Sequence, residues 1–495
     1  MSAGITRRQF YQVGASTLLG IHALSCAPTR PHTKSSQSST AALLRITKGK
    51  ADLVVPPSTP SGETWRYGLA FPFQVAPDQA AVFCNIKGKR GHDFEEGTDV
   101  ILFNSLSSLT HAKTFAVSRN HQEVNPNSRV RGQQAIMVKY PVGGGFVPLG
   151  AKRSDGSAHP YAGTGFGVCE ALAWTTDHDH TFAGDELYSY LEVQQYSYDG
   201  TAFKVLSTER FRVDELLPGS TLSNVGIATA IPDGDDLLFA MAGNPGAAGK
   251  ADAARPAQTG KCSGVVRWTH QENGWVPKSF HQVTEDDHSF EPTLIRDLNG
   301  SLLLCARGAK VNSNAIRVWR SRNGGGQWEQ IIHVVGAVAG APISINQAVD
   351  GTPYIASNLF EVLLHPVAER FMSGKHGERV WKRGVDSEGR VRGGGWHREK
   401  LCLWPLSQDR SRLETPVLAR DTYQEFGPAP TGDTWNVDHP SAKTVRLADG
   451  RWHNIMALRI CDHGEVDGGD APAPQSGTYL EEVMSNGTPV PAWTF

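Results

Sequence analysis

Glu291–Trp328 reads EPTLIRDLNGSLLLCARGAKVNSNAIRVWRSRNGGGQW, and this stretch decides the fold class. Asn299-Gly300 precedes the apolar run Ser301-Leu302-Leu303-Leu304-Cys305, the pattern of a strand entered through a tight hairpin whose turn residues tolerate positive φ. A second turn follows, Ser321-x-Asn323-x-Gly325-x-x-Trp328, in which the Ser and Asn side chains can bond local backbone and Gly can take a positive φ. A carboxylate, Glu291, opens the stretch. Arg307 ends the apolar run, where a charge emerging from an inner strand needs a partner or a ligand.

The same strand-turn-strand unit recurs at Asp199-Gly200, Asp233-Gly234, Asn273-Gly274, Asp350-Gly351 and Asp449-Gly450. Gly (52) and Pro (29) are abundant and charged residues make up only 20% of the 495, so short strands broken by turns dominate and helical periodicity is scarce. One large all-β domain is expected, with hairpins arranged as the blades of a propeller of four-stranded antiparallel sheets: six blades, with seven as the alternative. Phe360–Phe371 reads as a short helix. The segments Gly243–Lys261 and Gly374–Gly395 read as loops over the face where radial folds build their sites. A net charge of −2 offers no footprint for nucleic acid.

Thr6-Arg7-Arg8-Gln9-Phe10 precedes an uncharged segment, Val13 to Ser25, of signal-peptide rather than membrane-span length. It resembles a twin-arginine export signal, with an ordinary secretory leader as the alternative; either places the mature protein in the periplasm or outside the cell, with no transmembrane span. Residues 1–26 are read as the signal, 27–41 as a Ser/Thr/Pro-rich tether and 42–495 as the propeller. Ala23-Leu24-Ser25-Cys26 approximates a lipoprotein box, which leaves a lipid anchor at Cys26 open. Cys84, Cys169, Cys262, Cys305, Cys402 and Cys461 are scattered through apolar runs without the close pairs of a zinc site and read as buried thiols, although export leaves oxidation of some of them open.

The turn after Arg307 resembles the Asp box of the sialidase (neuraminidase) superfamily, with Asn323 in place of the usual Asp. That resemblance implies a carboxylate clamp built from three arginines on different blades. Arg66 stands where the family opens its first blade, although the family's Ile-Pro is absent; Arg307 is the second; and Arg398, in Arg398-Glu399-Lys400-Leu401-Cys402-Leu403, is the third. Arg rather than Lys suits the role because a planar guanidinium pairs bidentately with a carboxylate.

By the same resemblance Glu291 matches the buried glutamate that takes a proton from the nucleophile, and the acid/base lies on a loop after the first arginine. Here Lys87–Asp99 offers Asp93, with Glu95 and Glu96 behind it and Arg90 beside them, ahead of a strand at Val100–Phe103. General acid catalysis needs a carboxyl held protonated by desolvation. The family's nucleophilic tyrosine is missing: Asp438-His439-Pro440 stands there, so the chain reads as a divergent member. Tyr423 is the nearest substitute. Otherwise His439, oriented by Asp438 or Glu291, acts as a base on water or on a substrate proton.

His121 and His288 enlarge the pool of candidates without deciding among them. Asp177-His178-Asp179-His180 reads as a solvated loop rather than a metal site; no cofactor is expected, and a structural calcium ion is left open. The expected function is sialidase-like exo-hydrolysis of a carboxylated sugar, sialic-acid-like or uronic, from an acidic glycan. The alternatives are a lyase that eliminates across a uronic acid, with His121, His439 or a tyrosine as base, and a glycan-binding propeller without chemistry.

Overall fold

The computed structural model describes residues 45–46, 52–55, 66–87, 95–107, 113–119, 123–130, 133–175, 190–216, 223–225, 228–243, 262–284, 289–308, 314–338, 340–359, 398–430, 435–462 and 473–495. The leader and tether, Cys26, Arg90, Asp93, His121, His178, His180, His288, the helix expected at Phe360–Phe371 and nearly all of the two long loops lie outside them.

Six antiparallel sheets form six blades, each numbered here in chain order and each laid down from its inner strand outward. Blade 1 is Arg66–Ala76, Gln79–Lys87, Glu95–Phe103 and Lys113–Arg119. Blade 2 is Gln133–Val147, Thr164–Thr175, Tyr190–Tyr198 and Phe203–Arg212, with Glu123–Val130 antiparallel and Ala228–Thr229 parallel to its inner strand. Blade 3 has an interrupted inner position, Ser223–Val225 and Ile231–Asp233, beside Asp236–Gly243, Cys262–Gln271 and Gly274–Gln282.

Blade 4 is Ser289–Arg296, Leu302–Gly308, Ala315–Ser321 and Glu329–Val335. Blade 5 is Ser344–Gln347, Pro353–Asn358, Lys400–Pro405 and Val417–Asp421. Blade 6 is Trp435–Arg446, Trp452–Asp462 and Gly477–Met484; its rim is completed by the early strands Arg45–Ile46 and Asp52–Val55, which pair with Gly477–Met484 and close the ring non-covalently. All six Asx-Gly pairs fall in turns between neighbouring strands, with each glycine at positive φ; two of them lie in blade 3 and none in blade 1, and the six sheets themselves give six blades rather than seven.

The cores lie between blades, because each sheet has two faces to bury and its neighbours cover them. Phe73 and Phe83 of blade 1, Phe146 and Phe166 of blade 2, and Trp268 and Trp275 of blade 3 share one cluster, with Phe166 stacked on Trp268 at 4.0 Å. Val82 and Ile101 meet Val445, Ile455 and Leu480 where blade 1 returns to blade 6. Fully burying one such side chain contributes about 1.5–3 kcal/mol. Near the axis, diverging inner strands leave backbone groups that side chains must satisfy. Gln74 of blade 1 donates to the Arg446 carbonyl (3.0 Å) and accepts from the Arg446 N–H (2.6 Å) of blade 6, while Asn346 Oδ1 of blade 5 accepts from Ala442 N–H (2.8 Å).

The turn after blade 4's third strand has the hydrogen bonds its sequence suggests. Ser321 Oγ accepts from Gly325 N–H (2.9 Å), Asn323 Oδ1 accepts from Gln327 N–H (2.8 Å), and Trp328 Nε1 donates to the Gly325 carbonyl (3.0 Å). Trp328 packs on the apolar cluster between blades 3 and 4. One expectation needs correction: Glu95 and Glu96 do not lie on a loop ahead of Val100. The strand reaches back to Glu95, because Ile86 and Lys87 continue as its partner. All six described cysteines are buried; burial pushes the Cys262 thiol up to about 11 and that of Cys305 up to about 12. Among the described residues no helix is long and apolar enough to cross a membrane.

Candidate active site

The inner strands of blades 4 and 6 both bulge near their starts. One bulge lies between Phe290 and Pro292 and the other between Asp438 and Ser441. The bulged residues are Glu291 (φ 50°) and His439 (φ 52°), two of three described non-glycine residues at positive φ. His439 also precedes Pro440, and a residue before proline is driven toward extended backbone. Such conformations cost about 1–3 kcal/mol each and persist only where the surroundings enforce them. A bulge re-aims the side chain that it carries.

Asp438 is the hub. It is wholly buried, and Arg459, its cross-strand partner on the second strand of blade 6, grips it with Nε and Nη2, each at 2.7 Å. Arg398, entering blade 5's third strand, adds Nη1 at 2.5 Å. The fourth partner is His439 Nδ1, 2.8 Å from Asp438 Oδ1. Burial alone would push the Asp438 carboxyl up, but Arg459, His439 and Arg398 overcome it and hold the group well below the usual carboxylate range. An ionised carboxylate only accepts, so His439 Nδ1 carries the hydrogen and Nε2 is the acceptor nitrogen.

Burial moves the His439 imidazole below its ordinary value. Asp438 pulls it back up, the Arg459 charge adds to the lowering, and Glu291 opposes it. The ring is therefore neutral at neutral pH. Glu291 is held through Oε2 by Arg307 Nη1 at 2.9 Å, and Arg307 Nη2 donates to the Gly340 carbonyl at 2.8 Å, bridging blades 4 and 5. The Arg307 guanidinium also lies 4.8 Å from the Phe290 ring centre. Burial lowers Arg398, Asp438 counters this, and Arg307 and Arg459 add to the lowering, so the three cations sense one another. Among the described residues, three guanidiniums surround two carboxylates and a neutral imidazole, an electropositive balance suited to an anionic ligand.

The structure thus brings together Glu291, His439, Arg307 and Arg398. Arg66 starts the inner strand of blade 1, the end at which Glu291 and Asp438 lie on their own inner strands, but its side chain is outside the described set, as are those of Glu95 and Glu96. Tyr423 lies on the short helix Thr422–Phe426 after blade 5's outer strand and is 40% exposed. Sequence reasoning missed Arg459. Its signal was present: a lone charge inside Ile455–Cys461, an otherwise apolar strand, where burial demands a partner. Among the described residues no group of three or more His, Cys, Asp or Glu side chains is placed to hold a metal ion.

No family model matches this sequence, and no curated protein matches it. Among solved structures the chain is similar to Hadza microbial sialidase Hz136, with a TM-score of 0.46 at 10% identity over 84% of this chain and 65% of that one. It is also similar to a NanB sialidase mutant from Streptococcus pneumoniae (0.44, 8%, 91% and 72%). A third likeness is to α-L-arabinanase from Penicillium chrysogenum (0.42, 9%, 90% and 98%). At these scores the likenesses decide nothing about chemistry, which rests on the side chains described above.

Proposed function

We propose that the protein is an acid–base enzyme that hydrolyses a carboxylated sugar, sialic-acid-like or uronic, from an acidic glycan, with the sugar carboxylate meeting Arg307 and Arg398, joined by Arg66. The observation that carries this reading is the His439 imidazole, tied through Nδ1 to the buried Asp438 carboxylate and set on a strained bulge beside the Arg307–Glu291 pair. In this arrangement Nε2 removes a proton from water as it attacks the anomeric carbon. Glu291 supplies negative charge beside a transition state that resembles an oxocarbenium ion. Asp93 is the proposed acid that protonates the leaving oxygen, and Glu95 and Glu96 are its alternates.

A second reading is favoured by His439 standing where a nucleophilic tyrosine would be expected. In β-elimination, Nε2 takes the C5 proton of a uronate whose carboxylate the arginines neutralise. Glu291 argues against it, since a carboxylate beside the developing enolate is repulsive. Fluorogenic sialosides and uronides report hydrolysis, and the ultraviolet absorbance of an unsaturated uronate reports elimination. Release of fluorophore that disappears in His439→Ala supports the proposal. Unsaturated product replaces it with the second reading, and silence in both assays removes the enzymatic account.

A further inference from the structure

Arg459 never needs to touch a ligand to matter. It lies on the second strand of blade 6, its side chain is only 5% exposed, and its Nε and Nη2 each reach one oxygen of Asp438. We propose that Arg459 is a positioning residue: by fixing both oxygens of Asp438 in its own plane, it directs one of them at His439 Nδ1 and so sets which ring nitrogen is presented as the base. The inference rests on the reading of His439 as a base, but it concerns the free protein and can be tested there.

The geometry makes the lock specific. A carboxylate held by one point can rotate about its Cβ–Cγ bond; one held by two parallel N–H···O bonds cannot without breaking both. Arg398 reaches only Oδ2, whereas Oδ1 is shared between Arg459 Nε and His439 Nδ1. With Arg459 gone, Arg398 would keep its grip on Oδ2 while Oδ1 swings free of the imidazole plane, and the ring would lose its reason to prefer one tautomer. The charged groups facing His439 are Asp438 and Arg459 on blade 6 and Glu291 on blade 4, with Arg398 and Arg307 around them. Losing Arg459 removes one influence that disfavours the imidazolium, but freeing Asp438 Oδ1 removes larger ones that favour it, so the tautomer ratio is what reads the lock.

The test uses the full chain with selectively histidine-labelled nitrogen, assigned by difference from His439→Ala. Wild type should show Nδ1 protonated and Nε2 bare. Arg459→Gln should show a mixture of tautomers. Its kcat should fall roughly ten- to a hundredfold, the range known for loss of an outer partner that orients a metal-bound histidine, with KM little changed. A folded Arg459→Gln that keeps the single Nδ1-protonated tautomer overturns the proposal. Should that variant fail to fold, Arg459→Lys keeps the charge but gives up the planar fork, and an unchanged single tautomer there overturns it equally. If the nitrogen shifts respond as expected while wild type turns over no substrate, the positioning role stands and the functional reading fails.

Discussion

Arg459 and Asp438 face each other across the first two strands of blade 6 as a planar pair, with two 2.7 Å contacts and a carboxylate that has no exposed surface. Because Asp438 also neutralises Arg398, deleting it leaves two buried guanidiniums without their carboxylate. Breaking a buried pair in this way costs about 3–5 kcal/mol. Asp438→Ala should therefore lose about that much stability in urea unfolding, and Asp438→Asn less. A loss below about 1 kcal/mol would mean that water relieves the arginines and the hub is not rigid.

A second histidine should titrate in the opposite sense to His439. His453 Nδ1 lies 2.7 Å from Glu482 Oε1, and Nε2 lies 3.2 Å from Asp449 beside the Asp449-Gly450 turn. The Glu482 bond raises its pKa, burial opposes this, and Asp449 adds to the rise. A raised folded value means that the stabilisation is fully present below the ordinary histidine value of about 6.5 and is lost as pH climbs through the raised value. The effect is about 1 kcal/mol or less, since the Asp449 carboxylate faces solvent. Melting temperature should fall as pH rises through that window in wild type and stay flatter in His453→Gln; parallel curves would remove His453 as the cause.

Blade 2 presses its inner strand against its own second strand through glycine. A Cβ built on Gly144 would lie 1.9 Å from the Phe166 carbonyl oxygen, a backbone atom that cannot step aside. Gly144→Ala should destabilise by more than about 3 kcal/mol or block folding, whereas Gly156→Ala, which meets no atom within 4 Å, should cost about 1 kcal/mol because φ is positive there. Thermal melts of the two variants side by side decide this; equal effects would contradict the close approach.

Glu291→Gln separates the two chemistries. It keeps the shape and an oxygen for Arg307 while removing one negative charge. Stabilisation of an oxocarbenium-like transition state requires that charge, so kcat for hydrolysis should fall about a hundredfold or more. An unchanged or raised kcat would show that Glu291 faces developing negative charge and would favour elimination.

Much of the fold was legible because turn chemistry is local. Asn299-Gly300 and Asp449-Gly450 carry their hairpins whatever surrounds them, and such pairs marked the all-β, hairpin-built architecture, although two of the six fall in blade 3 and none in blade 1. The strand limits at Glu95 were not legible, since two adjacent glutamates look like a solvated loop until their partner strand is known. Arg307 could be placed because its run ends beside it. Arg459 escaped because its meaning depends on Asp438, a pairing across a hairpin of irregular register that no spacing rule supplies. The bulges at Glu291 and His439 were invisible for the same reason, although they determine where both side chains point.

The central claim is that arginines at the axis grip a carboxylate beside the His439–Asp438 pair. Calorimetric binding of a uronate- or sialate-terminated oligosaccharide, set against its methyl ester and repeated with Arg307→Leu, tests it most directly. The account predicts binding of the acid, loss of at least about tenfold in affinity for the ester, and the same loss for the acid with Arg307→Leu. Equal affinity for acid and ester in the wild-type protein would contradict it.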